Sequence, residues 1–294
     1  MPDLSLTSLD DLTTLSVRGA DAVSFLQGQL SQDIQTLGAR GALFAGLHNP
    51  QGRCLAVLRV LHLGPDHVLL VLPAELAETV RQQLSRYVLR AKVKIEDAAS
   101  AWRVYGITGP DAAAAASTRL HMPMDADETR QLIVAPRGEP LPEGDHVERD
   151  AWRLDDIADG IPEIATATAG LWVAQMLNLD LIGAISFDKG CYTGQEVIAR
   201  AHYRGQVKRR MQRFFTESQL PLLPGERVTL SDGRHGQIVV AALAPGGGQE
   251  FLAVMPIAAH PAPIADDASG EARTATLFVA CAALPLPYGA MAQG

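Results

Sequence analysis

The chain has 294 residues, 47% of them hydrophobic, and a formal net charge of −8 at pH 7. This length and apolar content suffice for two or three packed units. The negative charge disfavours broad, nonspecific binding to nucleic acid, which depends on Lys and Arg neutralising phosphates, so we expect no direct nucleic-acid partner.

The apolar runs predict no membrane helix, because residues 55–58 and 68–72 fall far short of the roughly 20 residues that a span requires. The first residues are acidic and lack the basic start of a secretory signal, so we expect a cytoplasmic protein with reduced thiols. Its three cysteines, Cys54, Cys191 and Cys281, lie far apart and lack the paired spacing of zinc or cluster sites. We therefore expect no intrinsic metal site.

Alternating helix and strand patterns fill the first two thirds of the chain. Apolar spacing predicts helices at residues 20–30 and 73–89, and strands at 55–63, 67–72, 92–97 and 102–107. An alanine-rich helix is predicted after the turn at 109–111, and the turn-rich residues 137–145 predict a surface loop. This order indicates an α+β fold.

Beyond about residue 207 the pattern changes to short strands separated by glycine-rich turns. The predicted strands are 211–216, 227–230, 237–242, 251–255 and 274–279. Several short strands at close spacing favour a small antiparallel β-barrel.

The richest chemical signal is the segment 189–196, which reads KGCYTGQE. Thr193 and Glu196 have the spacing of a capping box, which predicts a helix start and places Cys191 just outside the helix's amino end. Lys189 adds a positive charge two residues away, and both features favour a reactive thiolate. The alternative is that Cys191 is a small, buried and inert side chain, as free cysteines commonly are.

Residues 186–205, which read SFDKGCYTGQEVIARAHYRG, resemble the signature of the YgfZ family of folate-binding proteins. The resemblance extends to residues 175–180, 152–162 and 19–30, and so covers most of the chain. It implies a fold similar to the aminomethyltransferase of the glycine cleavage system: an α+β region at residues 1–206, with interlaced subdomains at about 1–100 and 101–206, and a β-barrel at 207–288.

The resemblance also implies a function. Members of this family support the assembly or repair of iron–sulfur clusters, with an indirect effect on tRNA-modifying cluster enzymes, and their motif cysteine is the functional thiol. In this chain that thiol is Cys191, accompanied by Lys189, Tyr192, Gln195 and Glu196. The implied partners are iron–sulfur assembly or client proteins, and Cys191 is a candidate for transient contact with a cluster.

Folate, as tetrahydrofolate, is the implied cofactor. Two tryptophans lie near the folate in bacterial members, and their positions fall on Leu12 and Trp152, of which only Trp152 is aromatic here. A tryptophan ring can stack on a pterin, although core packing is the simpler role. Gln175 and Asn178 offer amide donors and acceptors to a pterin edge, or they cap a helix.

The alternative function is a folate-dependent one-carbon transferase. The related aminomethyltransferases carry an acidic pair shortly after an Asn-x-x-Gly turn, whereas this chain has Ala56 and Val57 after its turn at residues 49–52. Loss of the proton-handling carboxylate counts against this chemistry. We therefore expect an accessory factor that is non-catalytic or weakly catalytic.

A basic stretch follows the cysteine motif. Its side chains suit a folate glutamate tail, an acidic protein surface or RNA phosphate, because arginine pairs well with carboxylate and phosphate. A solvated strand face is the alternative. The residues concerned are Arg200, His202, Arg204, Lys208, Arg209, Arg210 and Arg213.

Overall fold

The computed structural model describes residues 3–205, 207–257 and 277–288 of the chain. Within them, three β-sheets and six α-helices build the fold. No helix of this described part is long and apolar enough to cross a membrane.

The first sheet is antiparallel and is buried on both faces. Alternate residues of its strands enter two different apolar clusters: Leu70 joins one cluster, and Leu69 and Val71 join the other. This is why the sequence shows continuous apolar runs rather than simple alternation. Its strands, in the order β3-β4-β5-β2-β6, are β2 (Leu12–Arg18), β3 (Ala42–His48), β4 (Cys54–Gly64), β5 (His67–Pro73) and β6 (Lys94–Asp97).

Helices connect the strands of the first sheet. Phe25 and Leu26 of the first helix and Val80 and Leu84 of the third belong to the larger apolar cluster, so these helices pack on the sheet through that cluster. The helices are α1 (Ala22–Gln29), α2 (Leu37–Arg40) and α3 (Ala77–Ser85).

The second sheet takes its inner strand from the start of the chain. Residues 5–8 pair with both residues 105–108 and 145–146, so the two α+β halves are interlaced. In the order β10-β1-β7-β9-β8, the strands are β1 (Ser5–Ser8), β7 (Trp102–Thr108), β8 (Leu120–Pro123), β9 (Arg130–Pro136) and β10 (Asp145–His146). Helix α4 (Ala112–Ala116) lies between β7 and β8 in the chain, and α5 (Arg149–Ala158) follows β10.

The third sheet curls into a half-barrel. It is antiparallel except for the parallel pair β12–β15. In the order β15-β12-β13-β14-β11-β16, its strands are β11 (Arg209–Thr216), β12 (Arg227–Leu230), β13 (His235–Leu243), β14 (Gln249–Pro256), β15 (Leu277–Val279) and β16 (Ala282–Leu284). The predicted α+β fold is confirmed, and the predicted carboxy-terminal antiparallel β-barrel is a curled half-barrel with one parallel strand pair. Residues 274–276 of the predicted strand 274–279 lie outside the described residues.

Residues 159–194 join the sheets with little regular structure. They contain short 3-10 turns at Thr166–Thr168 and Ala174–Leu177, and they end at α6 (Gln195–Tyr203), which carries the motif. The predicted domain boundaries stay a prediction.

Candidate functional site

Cys191 lies exposed on the loop that precedes α6. The other two thiols differ: Cys54 is fully buried, which raises its pKa to about 12, and burial also raises the pKa of the half-buried Cys281. Cys191 is therefore the thiol that a partner or reagent can reach. The alternative of a buried Cys191 is excluded.

Lys189 anchors this loop to the end of α1. Its ammonium donates hydrogen bonds to the carbonyl oxygens of Gln27, Leu30 and Gln32, at 2.7, 2.6 and 2.8 Å. Carbonyls at a helix's carboxyl end lack helical partners and carry partial negative charge, so they suit a cation. Burial lowers the pKa of Lys189 to about 8. The Lys189 ammonium thus fastens the motif loop to the end of α1.

Tyr192 fixes the other side of Cys191. Its ring is 7% exposed within the apolar core and lies 5.0 Å from the Lys189 ammonium, and burial raises the pKa of its hydroxyl to about 12. Cys191 therefore protrudes between two buried neighbours of the motif, because only Gly190 separates it from Lys189.

The predicted capping box is wrong. The helix begins at Gln195, its amino-terminal cap is Gly194 with φ of 85°, and no side chain caps it. Thr193 instead directs its hydroxyl to the side-chain oxygen of Gln29, at 3.5 Å, while Glu196 is exposed. The left-handed Gly194 turns the chain, so Thr193 stands one residue too early to serve as the cap.

Gly194 also docks the helix against the turn at residues 49–52. A Cβ at Gly194 would stand 2.6 Å from the carbonyl oxygen of Asn49, and one at Gly52 would stand 2.8 Å from Val197. Close backbone contact at both positions explains these glycines, since any side chain would push α6 away.

Ser31 and His48, which the sequence analysis missed, lie beneath the motif loop. The Ser31 hydroxyl donates to the carbonyl of Ala184 at 2.7 Å and accepts from the amide of Gly46 at 2.8 Å. His48 is completely buried next to Gly194 and Gly46, and burial lowers its pKa to about 3. Neither residue belongs to a recognisable motif, and only the neighbouring turn at residues 49–52 could have drawn attention to them.

The basic stretch divides into two parts. Arg210 pairs with Asp180 at 2.9 Å and Arg213 with Glu250 at 2.6 Å, while Arg209 donates to backbone carbonyls. These three arginines stabilise the third sheet. The part on α6 is different: Arg200 and Arg204 are exposed.

A concave surface of about 580 Å³ lies on α6, lined by Ala199, Arg200, Tyr203 and Arg204. The adjacent His202 ring stacks on Phe187 at 3.7 Å between centroids, which ties α6 to the motif loop. Arg200 is thus a surface residue on the helix that follows Cys191.

Gln175 and Asn178 use their amides inside the protein. Gln175 donates to the carbonyl of Ile198 at 2.7 Å, and Asn178 donates to the carbonyl of Met211 at 2.8 Å and accepts from Arg210 at 3.2 Å. Both residues are 1% exposed. They tie α6 and β11 to the connecting segment, and their predicted contact with folate stays a prediction.

Leu12 and Trp152 meet in one apolar cluster between the first two sheets. Trp152 is 1% exposed, and the guanidinium of Arg130 lies 4.4 Å from its ring centroid. The cavity that touches Leu12 measures about 40 Å³, room for about one water molecule. The predicted pair is therefore brought together, but as packed core.

No group of three or more His, Cys, Asp or Glu side chains that could hold a metal ion occurs among the described residues.

Comparisons with known proteins agree with this architecture. The GCVT N-terminal domain model matches residues 3–134. The solved glycine cleavage system aminomethyltransferase T from Bartonella henselae superposes with a TM-score of 0.68 at 17% identity, over 87% of this chain and 79% of that one. The three sheets thus define a protein with the GcvT fold.

Similar proteins identify the family within this fold. The tRNA-modifying protein YgfZ of Serratia proteamaculans (strain 568) is 31% identical over 278 residues, 83% of this chain and 82% of that protein. YgfZ of Edwardsiella ictaluri (strain 93-146) is 31% identical over 285 residues, covering 86% and 84%. An uncharacterized protein of Haemophilus influenzae is 30% identical over 72% of this chain and 74% of its own length. The chain belongs to the YgfZ family.

Proposed function

We propose that this protein is an accessory factor for iron–sulfur enzymes that modify tRNA, and that it acts through the thiol of Cys191. The observation that carries the proposal is the exposed cysteine on a loop anchored by Lys189 and Gly194. A thiol presented in this way reaches a partner's cluster while its own backbone stays fixed.

The chemistry of a single thiol suits this role. Thiolate sulfur is a soft ligand that iron–sulfur clusters prefer, and one thiolate holds a cluster only together with ligands from a partner. We therefore propose that the cluster is cargo or substrate, shared with an assembly or client protein. The name tRNA-modifying protein, which the relatives carry, supports an effect on tRNA.

The test uses a deletion strain and a cluster-dependent tRNA-thiolating enzyme. Iron and sulfide content of the purified enzyme and the thiolated nucleoside in total tRNA are measured with and without a plasmid copy of this protein. We expect both quantities to fall in the deletion strain and to recover with the wild-type copy. Unchanged cluster content and thiolation in the deletion strain would overturn the proposal.

Folate does not enter this proposal. A stacked pterin needs a free aromatic face and space, whereas the Trp152 ring is covered by Arg130 and the cavity beside Leu12 is about 40 Å³. Small-molecule pockets begin at roughly 300 Å³. The residues around Leu12 and Trp152 do not fit a stacked pterin, so we assign folate no step at that position.

The one-carbon transferase is not favoured either. Ala56 and Val57 lie within β4, buried and paired with Leu47 and Gly46, and neither supplies a carboxylate. The cytoplasmic location and the absence of a direct nucleic-acid partner stay predictions.

A further inference from the structure

The ring of Trp152 is enclosed by its own protein. The backbone at Gly106 lies against it so closely that a Cβ there would stand 2.2 Å from a ring carbon. The Arg130 guanidinium carbon lies 4.4 Å from the ring centroid, within the range of a cation–π contact. A planar, charged group of the protein therefore occupies space over the ring where a pterin would stack.

Arg130 is held in this position by acidic side chains of α5. It donates to Asp156 at 2.7 Å, forms an ion pair with Asp159, and approaches Asp155 at 3.5 Å. Removing the guanidinium would take a counter-charge from Asp156, whose side chain is 8% exposed, and losing one partner of a buried pair is costly. Arg130 is thus no loose side chain that a ligand displaces at little cost.

Asp156 carries the connection into the first sheet. Its second carboxylate oxygen pairs with Arg59 of β4 at 3.4 Å, and the side chains of both residues are under 10% exposed. The two ion pairs Arg59–Asp156 and Asp156–Arg130 therefore join β4, α5 and β9, the elements that surround the Leu12–Trp152 cluster.

We infer that in this chain the Arg59–Asp156–Arg130 ion pairs close the interior beside Trp152, and that no folate binds between Leu12 and Trp152. The guanidinium of Arg130 takes the stacking position on the tryptophan, and the ion pairs join the two sheets. This inference is independent of the thiol function proposed for Cys191.

The test is calorimetric titration of the full-length protein with 5-formyltetrahydrofolate, using the wild type, Trp152→Phe and the control Trp172→Phe. We expect no binding tighter than about 1 mM in the wild type, or binding that Trp152→Phe leaves unchanged. Binding tighter than about 100 µM that Trp152→Phe weakens at least tenfold, while Trp172→Phe does not, would overturn the inference.

A second measurement covers the case in which Trp152→Phe does not fold. Hydrogen exchange of the wild-type protein, with and without 5-formyltetrahydrofolate, reports directly on α5. Unchanged exchange at residues 149–158 supports a closed interior. Protection of these amides at saturating ligand contradicts it.

Discussion

At the scale of single residues, two buried ionisable side chains shape the candidate site. Lys189 places an ammonium among three carbonyl oxygens, and His48 places an imidazole in a fully buried position under Gly194. Burying a titratable group penalises its charged form, and the pKa values of both side chains are lowered as a result. Both residues thus make the site sensitive to substitution and to pH.

Replacing Lys189 by Met should loosen the Cys191 loop. The variant loses three hydrogen bonds from a charged donor and leaves their carbonyls unsatisfied, so we expect a loss of about 2–3 kcal/mol in the free energy of unfolding. Faster hydrogen exchange at residues 186–194 should accompany it. The exposed Lys208→Met is the control and should change stability by less than about 0.5 kcal/mol. Equal effects of the two variants would contradict the anchoring role.

His48 should make the protein less stable in mild acid. Its pKa is about 3 in the folded protein against 6.5 in the unfolded chain, so below pH 6.5 the unfolded state gains a proton that the folded state does not. The contribution of neutral, buried His48 to the free energy of unfolding is fully present above pH 6.5, and about 2 kcal/mol of it is lost between pH 7 and pH 5.

The measurement is chemical unfolding at pH 7 and pH 5 for the wild type, His48→Leu and His146→Gln. The stability difference between the two pH values should shrink in His48→Leu by about 2 kcal/mol. His146→Gln, which changes an exposed ring, is the control. An identical pH dependence in the wild type and His48→Leu would show that His48 does not couple stability to pH.

At the scale of elements, the position of Cys191 depends on how α6 docks. The helix has no side-chain cap, and its start is set by the left-handed Gly194 against the 49–52 turn. Beyond its first turn, Ile198 is buried in the core and His202 stacks on Phe187. The helix and the motif loop therefore behave as one docked unit.

Gly194→Ala should disturb this unit, whereas Gly190→Ala should not. At φ of 85° an alanine costs about 1–2 kcal/mol, and its Cβ would also clash with the carbonyl of Asn49. A Cβ at Gly190 meets open space. We expect a lower melting temperature and impaired complementation for Gly194→Ala alone. Comparable losses in both variants would argue against docking at Gly194.

At the scale of the whole molecule, buried ion pairs join the two amino-terminal sheets. Arg149 and Arg153, also on α5, form a second set of ion pairs with Asp11 and Glu163. Such pairs cost desolvation to form, but losing one partner leaves the other charge unpaired in the interior. The network therefore makes the arrangement of the sheets depend on each of its members.

Asp156→Asn should destabilise the protein strongly. It leaves Arg59 and Arg130 without the carboxylate between them, and breaking a buried pair costs about 3–5 kcal/mol. Asp232→Asn, which removes an exposed partner of Arg234, is the control, and we expect it to lower the free energy of unfolding by less than about 1 kcal/mol. Thermal or chemical unfolding measures both. A loss under about 1 kcal/mol for Asp156→Asn would show that the network does not hold the sheets together.

The strands of the first sheet and the half-barrel could be predicted from the sequence because their apolar runs are local signals. A helix start next to Thr193 could be predicted as well, but the cap of α6 could not, since the left-handed Gly194 packs against Asn49 and Gly52, which lie far away in sequence. The motif pointed to Lys189, but its three hydrogen-bond acceptors lie some 160 residues earlier in the chain. Its anchoring role could therefore not be predicted from the sequence.

Arg59 and Arg130 show the same limit. Arg59 interrupts the apolar strand β4 and Arg130 is the first residue of β9, yet their partner Asp156 is positioned only by the packing of α5. The motif thus singled out a thiol that is exposed in the structure, while the packing around Trp152 depends on tertiary contacts that no short pattern contains.

The most direct test of the central claim is the thiolated-nucleoside content of tRNA in the deletion strain carrying Cys191→Ala, compared with Cys281→Ala. We expect the thiolated-nucleoside content with Cys191→Ala to stay at the level of the empty vector, although this variant keeps the wild-type melting temperature. We expect Cys281→Ala to restore thiolation. Full restoration by Cys191→Ala would contradict a functional thiol at this position.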